Sequence, residues 1–381
     1  MDIKNLRSPM NVIAETFNAV SSNLDLYIYS GIQKTDEAIS DGYAELTYSL
    51  TATEGYRIND DEIIFVFDIS AMVGDYLENT SASTSQAVWV SYVLSETASD
   101  GTISVILNEN GGSATHKLCV NGYDDAIIEG SVLSYGIESD SEAKSKSILI
   151  SNKTIYKLGD EDVSIPFNQY NTSSVNFYAN GELVSTQSVS TTNSSNFLVR
   201  YFSSSTGGYE SFYDRVSSVG STIVKNKCFD RFVDSVELYP ADQVVAVDSN
   251  GNTETINIVS VDECKYEPYK VVFINKFGVH QELWFFKKSK LSTKIEREHF
   301  TNESIFSTVK RSKVSLNTMA KDTITLNSGF VDEEHNEVFT QLMLSESVWL
   351  RYNDKLTPIT IKNDSLDYKT RVNDRLIDYT I

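Results

Sequence analysis

The residues able to do acid–base, nucleophilic or metal chemistry in this 381-residue chain are four histidines, three cysteines and fifty-three carboxylates. His116, His280, His299 and His335 never fall at i, i+4 spacing, so no helix face presents two imidazoles to a metal. Nucleophile elbows, phosphate-cradling glycine loops, dinucleotide fingerprints and H-E-x-x-H pairs are missing from the sequence. Cys119, Cys228 and Cys264 are far apart and odd in number, and read as buried thiols rather than a disulfide frame or a zinc site. Asp60-Asp61-Glu62, Asp160-Glu161-Asp162 and Asp248-Ser249-Asn250-Gly251 lack the D-x-D-x-D-G spacing of a calcium loop. They read first as turns between strands. The expectation is a chain that is not an enzyme and holds no cofactor and no metal.

Binding chemistry is better represented. Trp89, Trp284 and Trp349 sit in strand-like apolar runs, where core packing outweighs sugar stacking. Tyr209 and Tyr213 follow Gly207-Gly208, which leaves their rings accessible, and this segment is a candidate contact loop for a partner or a glycan. The stretch from Lys276 to Lys313 holds nine Lys/Arg against four acids and includes Lys287, Lys288 and Lys290. It reads either as a solvated strand end or as an electrostatic dock for the acidic face of another copy or a neighbouring protein.

The elements that position these residues are strands. Tyr and Phe together supply 39 residues and Pro only 5, while runs of helix-favouring residues are scarce. Alternation recurs at 24–29, 44–50, 63–67, 87–94 and 102–107, as in half-buried strands of a sandwich. Two helices are expected. One covers residues 68–77, with Ser70 as its cap and Ile69, Val73, Tyr76 and Leu77 as its apolar stripe, plugging one end of the first sandwich. The other lies near 333–344, with acids in its first turn and Val338, Phe339, Leu342 and Met343 buried. Asn180-Gly181 signals a type I′ hairpin, and 248–252 and 275–278 signal further turns. The polar run 138–147 reads as a linker.

These signals predict a mainly β chain of two to three antiparallel β-sandwich domains with a few short helices, since single cores seldom grow past roughly 250 residues. The expected divisions are an extended N-terminal arm at 1–22, a sandwich at 23–140, a second at 148–235 and a C-terminal β-rich assembly domain at 236–381. The final segment, Leu376-Ile377-Asp378-Tyr379-Thr380-Ile381, alternates to its end and is expected to pair as a strand.

Charge narrows the partners. The net charge is −21, from 32 basic and 53 acidic residues, which argues against a phosphate-gripping surface and hence against nucleic acid. The acid is uneven: up to Cys264 there are 14 Lys/Arg and 37 Asp/Glu, and beyond it 18 and 16. No apolar run reaches eighteen residues and Met1-Asp2-Ile3-Lys4 is unlike a signal peptide, so no membrane insertion is expected and a chain made and kept soluble in a cytoplasm is.

Three sets of segments carry a family likeness. One is Arg7-Ser8-Pro9, Phe67-Asp68-Ile69-Ser70 with Asp75-Tyr76-Leu77, and Gln86-Ala87-Val88-Trp89-Val90. The second is the run from Tyr269 to Gly278 with Leu283-Trp284-Phe285-Phe286-Lys287-Lys288-Ser289, and the third is Ser347-Val348-Trp349-Leu350, Tyr368-Lys369-Thr370 and Asn373 to Thr380. Their order and spacing resemble virion structural proteins of tailed bacteriophages of the Bacteroidetes-infecting and marine kind. The likeness covers most of the chain, is strongest at 60–95 and 264–381, and carries no catalytic residues. It implies a virion tail component, first a tail-tip, baseplate or tail-ring protein, with neck or fibre attachment behind. Its partners would be copies of itself and other tail proteins. A host-surface glycan or receptor-binding tail protein is the alternative, and a polysaccharide-cleaving enzyme the third reading. If unlike-charged surfaces hold the assembly, it should weaken as salt rises; light scattering across a salt series checks this, and salt-independent assembly would point to apolar contacts.

Overall fold

The computed structural model describes residues 3–8, 10–29, 46–58, 62–79, 87–106, 115–120, 122–123, 145–159, 161, 163–168, 171–189, 199–203, 209–211, 241–301, 313–352, 355–362 and 377–380. Among these residues the protein is mainly β, with several antiparallel sheets and two helices.

The first unit comprises β1 (Ile3–Asn5), β2 (Asn11–Phe17), β3 (Ala19–Tyr29), β4 (Tyr48–Ala52), β5 (Tyr56–Arg57), β6 (Glu62–Asp68), α1 (Ser70–Asn79), β7 (Ala87–Ala98), β8 (Ile103–Ile106) and β9 (Thr115–Val120). One sheet runs β1-β9-β7-β3-β4, with β8 also on β7, and the other runs β2-β6-β5. Alternation decides what is buried: Leu24, Leu26 and Ile28 of β3 and Val88 and Val90 of β7 meet Val12, Ala14, Phe65 and Phe67 of the facing sheet. Ile69, immediately before α1, and Val73 within it enter the same core. Asp68, not Ser70, caps this helix: its Oδ1 accepts from the Ser70 backbone N–H at 3.0 Å and from Ser70 Oγ at 2.6 Å. The expected arm at 1–22 is likewise corrected. Leu6, Met10, Val12 and Ala14 are core residues, and β2 pairs with β6 along its whole length.

The second unit comprises β10 (Thr154–Leu158), β11 (Ser164–Asn168), β12 (Thr172–Ala179), β13 (Glu182–Ser188), β14 (Val199–Ser203), β15 (Tyr209–Ser211), β16 (Gln243–Asp248) and β17 (Thr253–Val261). Sheet β10-β17-β16-β12-β13 faces sheet β11-β14-β15, with Val175, Phe177, Val244, Ala246, Ile256 and Ile258 packed against Ile165 and Phe167. Asn180 and Gly181 have φ of 53° and 81°, as a type I′ turn requires. The expected boundary at 235/236 moves to about 261, because β16 and β17 are laddered to β12 and β10. Of the expected linker, 138–144 lies outside the described residues. Ser147 belongs to this unit: its carbonyl accepts from the Asn168 N–H and Thr172 Oγ1, and its N–H donates to Glu254.

The third unit comprises β18 (Tyr269–Ile274), β19 (His280–Phe285), β20 (Lys290–Thr301), β21 (Lys313–Thr325), β22 (Asn327–Val331), α2 (His335–Leu344), β23 (Val348–Tyr352), β24 (Lys355–Ile359) and β25 (Ile377–Thr380). Here one face of the sheet β19-β18-β23-β24 is covered by a helix rather than by a second sheet. Val271, Phe273, Leu283 and Phe285 pack on Val338, Phe339 and Leu342 of α2. The C-terminal strand β25 pairs antiparallel with β22.

The units meet at the turn between β18 and β19. Asn275 is fully buried, and its side chain is engaged at both ends. Its Nδ2 donates to the Leu149 carbonyl at 2.8 Å and to Gln281 Oε1 at 3.0 Å, while its Oδ1 accepts from the Phe277 and Val279 N–H groups. Gln281 Nε2 continues to Asn152 Oδ1 of the second unit at 3.0 Å. From the first unit, Arg7 donates to the carbonyls of Asn275 (3.0 Å) and Leu344 (2.9 Å), and its cation lies 5.0 Å from the Tyr123 ring centre. The Tyr123 N–H donates to the Lys276 carbonyl at 2.9 Å. Gly122 stands between: a Cβ there would collide with the Lys276 carbonyl oxygen and lie 2.6 Å from Asn5 Oδ1. Gly122→Ala should therefore loosen the first unit from the third and cost about 2 kcal/mol or more. The expected readout is an earlier, separate transition of the first unit in urea; an unchanged unfolding curve would mean that the turn tolerates the shift.

Candidate assembly surface

The strands β20 and β21 form a two-stranded antiparallel ribbon in register from Lys290↔Thr325 to Thr301↔Lys313, with a bulge between Glu298 and His299. Twelve residues of β20 at about 3.3 Å each span about 40 Å. Residues 291–300 and 315–322 are all exposed, on both faces of the ribbon. An isolated two-stranded hairpin is marginal in water, so a ribbon of this length depends on its root. The root is well built. Ile324 packs on the third unit's core, Leu326 is buried in it, and β22 follows directly. Phe286 and Lys287 donate their N–H groups to the carbonyls of Ser328 and Asn327. Lys362 Nζ donates to Thr323 Oγ1.

The pleat separates two kinds of surface. Residues directly opposite one another share a face, so Leu291, Thr293, Ile295 and Arg297 lie with Ile324, Asp322, Ala320 and Thr318. The other face carries Lys290, Ser292, Lys294 and Glu296 opposite Thr325, Thr323, Lys321 and Met319. On it Lys294 and Lys321 stand directly across from one another, an unfavourable pairing of like charges, and Lys294 Nζ takes Glu296 at 2.7 Å. Leu291 is 63% exposed and Ile295 53%, and Phe300, Leu316 and Met319 are also at least half exposed.

Lys288 and Lys290 are exposed at the root of this ribbon, where the sequence placed a dock. Lys287 is committed instead to the fold: its Nζ lies 2.7 Å from Glu263, and its methylenes cross Gly329 closely enough that a Cβ there would sit 3.0 Å from Cγ. The Lys287 ammonium holds the Glu263 carboxyl below the usual carboxylate range, helped by the Lys265 N–H. Tyr209 falls in β15, and Tyr213 lies outside the described residues. Reading the lysines alone missed Leu291, Ile295, Arg297 and Lys321. No strict alternation marks them: 290–297 is apolar only at Leu291 and Ile295, and 318–325 at Met319, Ala320 and Ile324.

Other charged side chains tie the second and third units together. Lys270 Nζ lies 3.0 Å from Glu282 and 4.0 Å from Glu161 of the second unit, and Arg351 Nη1 donates to both Glu161 oxygens at 2.9 and 3.1 Å. Glu161, one of the carboxylates weighed for calcium, is thus an inter-unit ion-pair partner. Among the described residues no group of three His, Cys, Asp or Glu side chains is placed to hold a metal. Tyr156 donates to Asp332 Oδ2 at 2.9 Å, and burial first, then Asp332, pushes its hydroxyl up to about 12. Cys119 is buried, but Cys264 is exposed, which corrects the expectation of buried thiols; Cys228 lies outside the described residues.

No protein-family model matches this chain, and no curated protein matches it. Among the described residues no helix is long and apolar enough to cross a membrane.

His280 and His335 are buried, and burial lowers both below the ordinary imidazole value, His280 from 6.5 to about 4. The unfolded chain takes up a proton at His280 below about pH 6.5 that the folded chain refuses until about pH 4. Stability should therefore be full above that interval, fall through it by about 3 kcal/mol from this residue, and level off below it. His280→Phe should flatten the decline, leaving the share of His335. Urea midpoints from pH 7 to pH 4 check this, and an equal slope in the variant would assign the decline to other groups.

Proposed function

We propose that this chain is a non-enzymatic structural protein of a phage virion, a tail-tip, baseplate or tail-ring component that assembles with copies of itself and with other virion proteins. The observation that carries the reading is the exposed ribbon β20–β21, which presents apolar side chains to solvent on a strand pair that the fold leaves unsupported beyond its root. Solvated loops do not need matched strands 12 and 13 residues long, whereas a connector between subunits does. The inter-unit hydrogen bonds and ion pairs favour the same reading, because a subunit under load benefits from units held in fixed relation. The likeness of the 60–95 and 264–381 segments to tail proteins supplies the virion setting, with synthesis in the host cytoplasm.

The C-terminus is part of the machinery on this reading. β25 hydrogen-bonds to β22, the strand that continues from β21 through Leu326, so the last strand clamps the base of the ribbon. Removing residues 376–381 should abolish assembly while the first two units stay folded, as judged by mass photometry beside circular dichroism. Normal oligomers from that truncation would sink the clamp. The setting is tested by imaging the intact particle at side-chain resolution: density for this chain in the tail supports the proposal, and density in the capsid shell overturns it.

A further inference from the structure

The ribbon and the first unit are opposites in charge. Residues 287–325 hold nine Lys/Arg and four Asp/Glu, a net of +5, so the remainder of a chain of net −21 carries −26. Within that remainder, residues 1–123 hold five Lys/Arg and seventeen Asp/Glu, a net of −12. Both surfaces also expose apolar side chains: Leu291, Ile295 and Met319 on the ribbon, and Tyr56, Ile58, Ile103 and Val105 on the first unit. Ile103 and Val105 belong to β8, which among the described residues pairs with β7 alone. Residues 291–300 and 315–322 are exposed, so the described residues of the first unit do not cover the ribbon of their own chain.

We propose that the occupant of the ribbon is the acidic first unit of a second copy, so that each chain offers its ribbon to the next and its first unit to the one before. This rests on the assembly reading above and names its contact. Two features favour a second copy over a foreign protein. The complementary surface is present in this same chain, and the two surfaces belong to different units that the Asn275 turn holds in fixed relation, which makes the contact heterologous and able to propagate. With Lys290, Lys294 and Lys321 on one face and Glu296, paired to Lys294, the acid among them, that face keeps a positive excess for acidic side chains to meet. Leu291 and Ile295 on the opposite face supply the apolar contact that would persist in salt.

The test uses the full chain. Copies carrying the photo-crosslinker p-benzoylphenylalanine in place of Ile295 are mixed light and heavy-isotope labelled, irradiated and mapped by mass spectrometry. Light–heavy crosslinks from position 295 into residues 10–106 are expected. The triple variant Lys290→Glu, Lys294→Glu, Lys321→Glu should self-associate about tenfold more weakly or worse, with an unchanged circular dichroism spectrum and melting curve because these side chains are exposed. Oligomers whose crosslinks from 295 run to 287–325 of the other copy would mean that ribbons pair with each other, and would overturn the proposal while leaving assembly intact. Oligomers unaffected by the triple variant would overturn it likewise. A full chain that stays monomeric at every concentration would overturn both this contact and the assembly reading.

Discussion

One buried turn sets the arrangement of the molecule. Asn275 to Gly278 brings a cluster of backbone N–H and carbonyl groups into a place with no access to water, where each unpaired group costs about 1–3 kcal/mol. The turn answers part of that demand itself, through the Asn275 side chain, and leaves the rest to be met by the other two units. Leu149 and Asn152 come from one side, Gly122, Tyr123 and Arg7 from the other, and Gln341 of α2 closes the set by accepting from the Lys276 N–H at 3.4 Å. Since hydrogen bonds are directional, satisfying them all at once defines how the units sit. A wholly apolar junction would allow sliding.

The buried charges around this turn follow the same logic. Lys276 is almost fully buried and pairs with Glu337 at 2.8 Å, as Lys270 pairs with Glu282 at 3.0 Å. Pairs of this kind recover their desolvation only when the geometry is good, so they contribute more to the choice of one docking arrangement than to net stability. The second face of the third unit's sheet turns toward the second unit: Lys270, His280 and Trp284 are buried there, and Lys270 and Arg351 reach Glu161. What the fold does offer is the ribbon, which leaves this locked body at the edge of the third unit.

An exposed strand pair is ordinarily a hazard, because its free edges invite pairing with any other strand. The charges along β20 and β21 temper that hazard, with Lys290, Lys294, Arg297 and Lys321 interrupting the apolar positions. On the proposed contact, the same charges would favour an acidic surface. A bulge at Glu298 adds local twist toward the tip, which suits a surface that wraps rather than lies flat.

Much of the architecture was legible from residue pattern alone. Period-two alternation marked strands in 24–29 and 87–94, Asn180-Gly181 marked its hairpin, and the apolar stripes of 68–77 and 333–344 marked both helices, because each depends on neighbours within a few residues. The reach of the first sandwich to Leu6 and the laddering of 243–261 to the second unit were not legible, since they depend on hydrogen bonds to strands as many as 115 positions away. Lysine composition pointed to the stretch that contains the exposed ribbon but misjudged Lys287, whose partner Glu263 lies 24 residues back. Sequence by itself therefore determined the β class, the acidic body and the basic C-terminal stretch, all properties of local composition and period. Only the tertiary structure decided that Asn275 is a keystone and that 290–325 stands clear of the body, because burial and exposure are set by what the rest of the chain brings alongside.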